Sequence, residues 1–155
     1  MNIDMERKVA WLVALEGIRS TIARYARAGD DRNDPAQMKL LLAQDAVWEA
    51  EGFGRFEGRE VIAEALAKVA QERILWSLHF PVAPIVDLSD DLDRAHAYWW
   101  LWELMTHKGD DGVPRNCWFA ATYDCDFVRK PDGWKIHHLV LKPGKMVEYI
   151  EPPGA

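Results

Sequence analysis

Arg24-Tyr25-Ala26-Arg27-Ala28-Gly29-Asp30-Asp31 closes the first long helical pattern of the chain, and the remaining elements are laid out around it. Upstream, Ile18, Ile22, Tyr25, Ala26 and Gly29 fall at i, i+4, i+7, i+8 and i+11, an apolar stripe on one helix face. Gly29 permits that helix to stop, and two carboxylates follow at once. An acid at a helix C-terminus meets the negative end of the macrodipole, so Asp30 is badly placed for helix stability. A residue at odds with its local setting points to function. The plain alternative is that Asp30 and Asp31 form a solvated loop.

Outward from this stretch, residues 5–29 read as the first helix. Asp34-Pro35-Ala36-Gln37 reads as the start of a second, with Asp34 as N-cap, Pro35 in the first turn and Gln37 closing a capping box. Met38, Leu41 and Leu42 give it a buried face. Ala46–Ala50 is a strand, and the glycines of Gly52-Phe53-Gly54-Arg55-Phe56-Glu57-Gly58 predict a tight hairpin or bulged turn. No helix opens from this G-x-G and no Gly-Lys-Ser/Thr follows, so it is not a phosphate loop. A third helix over 59–73 carries Val61, Ile62, Ala65, Leu66 and Val69 on one face. Strands follow over 78–88, 95–106, 116–129 and 134–141, joined by short turns. Pro81 and Pro84 place part of the first of these at a sheet edge or bulge. Helices first, then a meander, predict an α+β domain in which helices pack on one curved sheet and close a conical pocket.

At 155 residues the chain is long enough for one domain with a core of its own, read over 1–155 with a tail from about 148. The net charge of −6, without a Lys or Arg run, argues against nucleic acid or an anionic membrane as partner. Cys117 and Cys125 lie in one strand, eight residues or about 26 Å apart, beyond disulfide reach. Two free thiols and a reducing, cytoplasmic compartment are expected. Val9–Leu15 is too short and too closely flanked by acids for a signal peptide or a membrane span; it reads as amphipathic helix. The Pro/Gly tail Glu151–Ala155 is expected to be frayed or docked on a neighbour.

Ile22–Asp30, Asp45-Ala46-Val47-Trp48, Gly54–Glu60 ahead of a helix, Leu78-His79-Phe80 and Asp132-Gly133-Trp134-Lys135-Ile136 stand in the order of the SnoaL-like branch of the nuclear transport factor 2-like superfamily. The chain resembles that branch over nearly its whole length, and within it the group containing scytalone dehydratase, hexachlorocyclohexane dehydrochlorinase and bile acid 7α-dehydratase. The resemblance implies a cone-shaped α+β barrel, a curved mixed or antiparallel sheet wrapped around N-terminal helices. It also implies a cofactor-independent lyase, in the first place a dehydratase, whose acid at the end of the first helix is Asp30 and whose histidine after the third helix is His79. The tyrosine five residues before the acid falls on Tyr25. A basic residue late in the last strand falls on Lys142, where the dehydrochlorinase has Arg, a departure from the pattern. The second histidine of scytalone dehydratase has no assignable counterpart; His96 and His107 lie only in the broad region.

The chemistry of such a pair is concrete. A carboxylate accepting from one imidazole nitrogen fixes the tautomer and stabilises the imidazolium formed when the other takes a proton. Tyr25 could donate to a developing enolate or a departing hydroxyl. Residues five apart on a helix point about 140° apart, so Tyr25 and Asp30 reach one pocket only if Asp30 lies past the last regular turn. The plain reading of His79 is a core histidine bonded to a backbone carbonyl. Trp48, Phe53, Trp100, Trp102 and Trp118 are candidate pocket walls for a flat, cyclic or aromatic substrate, against a reading of core and oligomer contact. Glu49 and Glu103 are strand carboxylates that could face the pocket, with a surface place as the expectation, and His137-His138 has no metal-ligand spacing, so no metal or cofactor is expected. The expected partners are a small molecule and further copies of the chain, as dimer or trimer. The rivals to a dehydratase are an isomerase on the same scaffold and a non-catalytic module with its pocket plugged by aromatic side chains.

Overall fold

The computed structural model describes residues 3–150, and the tail expected at Glu151–Ala155 lies outside them. Three helices precede or interrupt one mixed sheet: α1 (Ile3–Asp30), α2 (Pro35–Leu41), β1 (Leu42–Ala50), β2 (Gly54–Glu57), α3 (Arg59–Arg73), β3 (Ile74–Leu88), β4 (Arg94–Lys108), β5 (Pro114–Lys130) and β6 (Gly133–Tyr149). The sheet order is β2-β1-β6-β5-β4-β3, antiparallel except where β1 runs parallel to β6. The result is an α+β cone of the nuclear transport factor 2-like type, with an open sheet rather than a closed barrel. β3 is an edge strand, paired only with β4, and carries both prolines where they cost no ladder bond.

Two glycines let α1 lie on this sheet. A Cβ at Gly17 would stand 2.7 Å from Cδ1 of Trp134 on β6, and one at Gly29 would stand 3.0 Å from Cε1 of His79 on β3. Each is a place where the helix backbone meets a ring. Ile18, Ile22 and Ala28 are fully buried between them, and the apolar stripe of α1 is the floor of the core. Thr21 ties the same face to β6, its hydroxyl within 3.4 Å of the Trp134 carbonyl.

Several local expectations change. The first helix does not stop at Gly29: Asp31 N–H donates to the Arg27 carbonyl, and the break falls at Arg32 and Asn33, with φ of 58° and 53°. Asn33 tolerates that conformation, and its side chain donates to the Leu66 carbonyl, holding α3 over the end of α1. Asp34 caps α2 through the Gln37 N–H at 2.8 Å, but the Gln37 side chain turns to Asp31, so only half of the capping box forms. Leu42 is buried as the first residue of β1 rather than the last of a helix. On α3 the inward face is Ile62, Ala63, Leu66, Ala67 and Ala70, while Val61 is exposed. β3 begins four residues earlier than its apolar alternation suggested, and β6 continues to Tyr149, through the start of the expected tail.

Candidate active site

α1, β3 and β4 meet at His79. The Asp30 Oδ1 accepts from the backbone N–H of His79 at 2.8 Å and lies 2.8 Å from its Nδ1. The first contact anchors the strand to the helix end; the second assigns the proton to Nδ1 and leaves Nε2 as the free base. Asp30 does not line the cavity. It stands behind the ring, inside the last helical turn, and so need not share Tyr25's direction. The reach problem posed by a five-residue spacing is solved by stacking the groups in depth.

In front of the ring is a cavity of about 520 Å³. Its walls include Tyr25, Leu101, Glu103, Met105, Phe119 and Tyr123, with Trp48, Phe53, Phe56 and Leu66 continuing them, and no described side chain fills the space. The lining is mostly apolar, with few polar groups, which suits a small ligand of the same character.

Glu103, for which a surface place is expected, is instead buried. It is 6% exposed, pairs with His79 in the β3–β4 register, and its Oε1 lies 3.5 Å from His79 Nε2. The signal was available in the strand period: Trp99, Leu101 and Met105 share its face and are all core. Burial pushes the Glu103 carboxyl up; the His79 charge opposes this and the Asp30 charge adds to it. Burial alone would push His79 down, but the Asp30 hydrogen bond and the charges of Glu103 and Asp30 outweigh it, and its pKa is raised.

Tyr25 is buried, with its hydroxyl accepting from the Trp48 indole N–H at 2.9 Å and its ring edge-on to Tyr123. Burial raises its pKa, against the pull of the Trp48 bond, so the phenol keeps its proton and has it to donate.

The other candidates divide sharply. Trp48 and Phe53 line the cavity. Trp100, Trp102 and Trp118 do not: each is more than two-fifths exposed on the opposite face of the sheet, since even positions of β4 point away from Glu103. Lys142 is also on that far side. Its neighbours Leu141 and Pro143 line the cavity, while its ammonium pairs with Asp124 at 3.3 Å. Glu49 keeps the surface place expected of it, bonded to His138 and Arg55. His96 sits between Asp124 and Asp126 on the exposed sheet face. His107 reaches the cavity wall, and its Nε2 is buried without a hydrogen-bond partner. Cys117 and Cys125 are buried, free thiols. Among the described residues no helix is long and apolar enough to cross a membrane.

Residues 12–140 match the family model described as a SnoaL-like domain. No curated protein matches the sequence. Among solved structures the chain is similar to hexachlorocyclohexane dehydrochlorinase LinA-type3 from Novosphingobium barchaimii LL02, with a TM-score of 0.81, 17% identity and coverage of 94% of this chain and 99% of that one. A putative scytalone dehydratase from Novosphingobium aromaticivorans gives 0.78 at 18% identity, covering 96% and 98%. A nuclear transport factor 2-like superfamily protein from Salmonella enterica serovar Typhimurium gives 0.74 at 18%, covering 86% and 92%. At these identities the likeness is one of fold.

Proposed function

Because the chain belongs to the SnoaL-like domain family, we propose that it is a cofactor-independent lyase that eliminates a leaving group from a small, largely apolar cyclic or aromatic compound. The observation that carries this reading is the 2.8 Å contact of Asp30 with His79 Nδ1 at the wall of an open apolar cavity. His79 Nε2 takes a proton from the carbon beside a carbonyl or a leaving group. Asp30 holds the ring and stabilises the imidazolium that results. Tyr25 donates to the oxyanion that develops as the proton leaves. The named activities of the dehydrochlorinase and the putative dehydratase fit the same reaction class and support the reading by analogy.

His79→Ala tests it. Turnover in an elimination screen should fall by about 10²–10⁴-fold, the usual worth of a positioned base, with the thermal unfolding transition retained. Equal activity in the variant rejects the mechanism. An isomerase would use the same base beside the same donor, Tyr25, and identification of the product by mass separates the two: elimination loses the mass of the leaving group, isomerisation none. We further propose that the chain forms a homo-oligomer through its exposed aromatic sheet surface, Trp100, Trp102 and Trp118. Sedimentation of the wild type against Trp102→Arg checks this; a monomer in both cases ends it.

A further inference from the structure

Elimination needs two partners, a base for the carbon-bound proton and something to receive the leaving group. With His79 as the base and Tyr25 placed on the developing oxyanion rather than on a departing hydroxyl, the leaving group still lacks a partner. A halide leaves as a stable anion and gains from a nearby cation, whereas hydroxide is expelled only as it takes a proton. Around His79 the described residues offer no cation. Lys142 is on the far side of the sheet, and the cavity's own Arg73 and Lys108 lie several residues along the chain from His79 and Glu103. Lys108 is five residues along β4 from Glu103, about 16 Å at strand rise. Arg73 is turned to Asp110, 3.7 Å away.

What does stand beside the base is a carboxyl group. Glu103 faces the same cavity as His79, opposite it in strand register, with Oε1 3.5 Å from Nε2. We propose that Glu103 is the general acid of this site and that the substrate class is accordingly one that loses a hydroxyl group, as water, rather than a halide. The inference rests on the lyase reading and adds the leaving group to it.

The titratable groups within electrostatic reach of Glu103 are His79 on β3, Asp30 and Tyr25 on α1, and Cys117 and Tyr123 on β5. Burial and the Asp30 charge favour its protonated form, against the charge of His79. In the reaction, Nε2 of His79 takes the proton from carbon and the C–H electron pair becomes the new π bond. The C–O bond breaks, its electrons go to oxygen, and oxygen takes the Glu103 proton and leaves as water. His79 is then cationic and Glu103 anionic at 3.5 Å, and return of the proton from Nε2 to Oε1 restores both. The cycle consumes no other reagent, and the proton given up by one substrate serves the next.

Two measurements on the full chain test this. The infrared difference spectrum of wild type minus Glu103→Gln at neutral pH should contain the carbonyl stretch of a protonated carboxyl; an ionised-carboxylate signature in its place overturns the proposal. Turnover is then compared on two probes, the β-hydroxy ketone that dehydrates to benzylideneacetone and its β-chloro counterpart. Glu103→Gln should lose about 10²–10⁴-fold on the hydroxy compound and only a few-fold on the chloro compound. Equal losses on both overturn the assignment. If Glu103→Gln does not fold, Glu103→Asp, which keeps the proton but draws it back from His79, should show the same selective loss in smaller degree. A wild type that releases neither water nor chloride fails the lyase reading, while the infrared result still decides the state of Glu103.

Discussion

β4 carries two chemistries on its two faces. Trp99, Leu101, Glu103 and Met105 point toward the helices and are all buried, and among them sits a carboxyl group against an imidazole. Trp100 and Trp102 point the other way and are 44% and 41% exposed. Residue type alone does not separate the faces, since both carry Trp among other large apolar side chains. What separates them is the partner. The inner face looks into the core, beside the point where Gly29 of α1 meets the His79 ring of β3, so its carboxyl group is desolvated and its proton affinity moves. On the outer face the exposed His96 and Lys142 remain in water, where ion pairs with Asp124 and Asp126 contribute little.

The largest expected difference is in stability. Trp99 is 2% exposed, stacked on Tyr123 at 4.9 Å and near Phe127 at 6.5 Å. Trp99→Ala should cost about 3–5 kcal/mol in urea unfolding. Trp100→Ala, which in the single chain loses an edge-on contact with Tyr98 but little burial, should cost about 0.5 kcal/mol at dilutions where the chain is a monomer, and more where the proposed oligomer covers it. Comparable losses from the two would mean that the outer face is covered in solution.

The two faces also explain what could be read beforehand. The fold was legible because its signals are local or periodic: the α1 stripe, the Asp34-Pro35 cap, and prolines confined to what proved to be an edge strand. The Asp30–His79 contact rested on a resemblance, because no local rule joins residues 49 positions apart. Residue type alone sends Glu103 to the surface, while the period-2 phase puts it on one face with Trp99, Leu101 and Met105. The same phase puts Trp100 and Trp102 together on the other. Phase, however, does not say which face the helices cover. That depends on where α1 can approach, and Gly29 carries that information without announcing it. It was read as a helix stop, but its φ is ordinary and its use is the space it leaves for the His79 ring.

Gly29→Ala therefore separates helix stability from the site. Replacing a helical glycine by alanine favours the helix by about 1 kcal/mol, and the new methyl 3.0 Å from Cε1 of His79 works against that gain. Global stability should change by about 1 kcal/mol or less, while the ring is pushed off Asp30. Misplacement on that scale should lower turnover by about 10–100-fold. Unchanged turnover with an unchanged His79 imidazole resonance in NMR would show that the close approach has no bearing on the site.

The smallest effect is the most diagnostic, because it is read as a difference between two pH curves. Both His79 and Glu103 have folded-state pKa values above their ordinary 6.5 and 4.5. For either group, a raised folded pKa means that the native state holds its proton more tightly than the unfolded chain does. The resulting stabilisation is fully present below the ordinary pKa and is lost as pH rises through the folded value. For Glu103 that loss begins above pH 4.5, where the unfolded chain has already given up its proton and the native state has not. Urea unfolding of wild type and Glu103→Gln across this range should show the wild type losing ground to the variant as pH rises. A wild type that gains ground instead would mean that Glu103 is held as the carboxylate, an acceptor to an imidazolium. The inner face of β4 would then carry an ordinary buried ion pair, differing from the outer face in exposure alone.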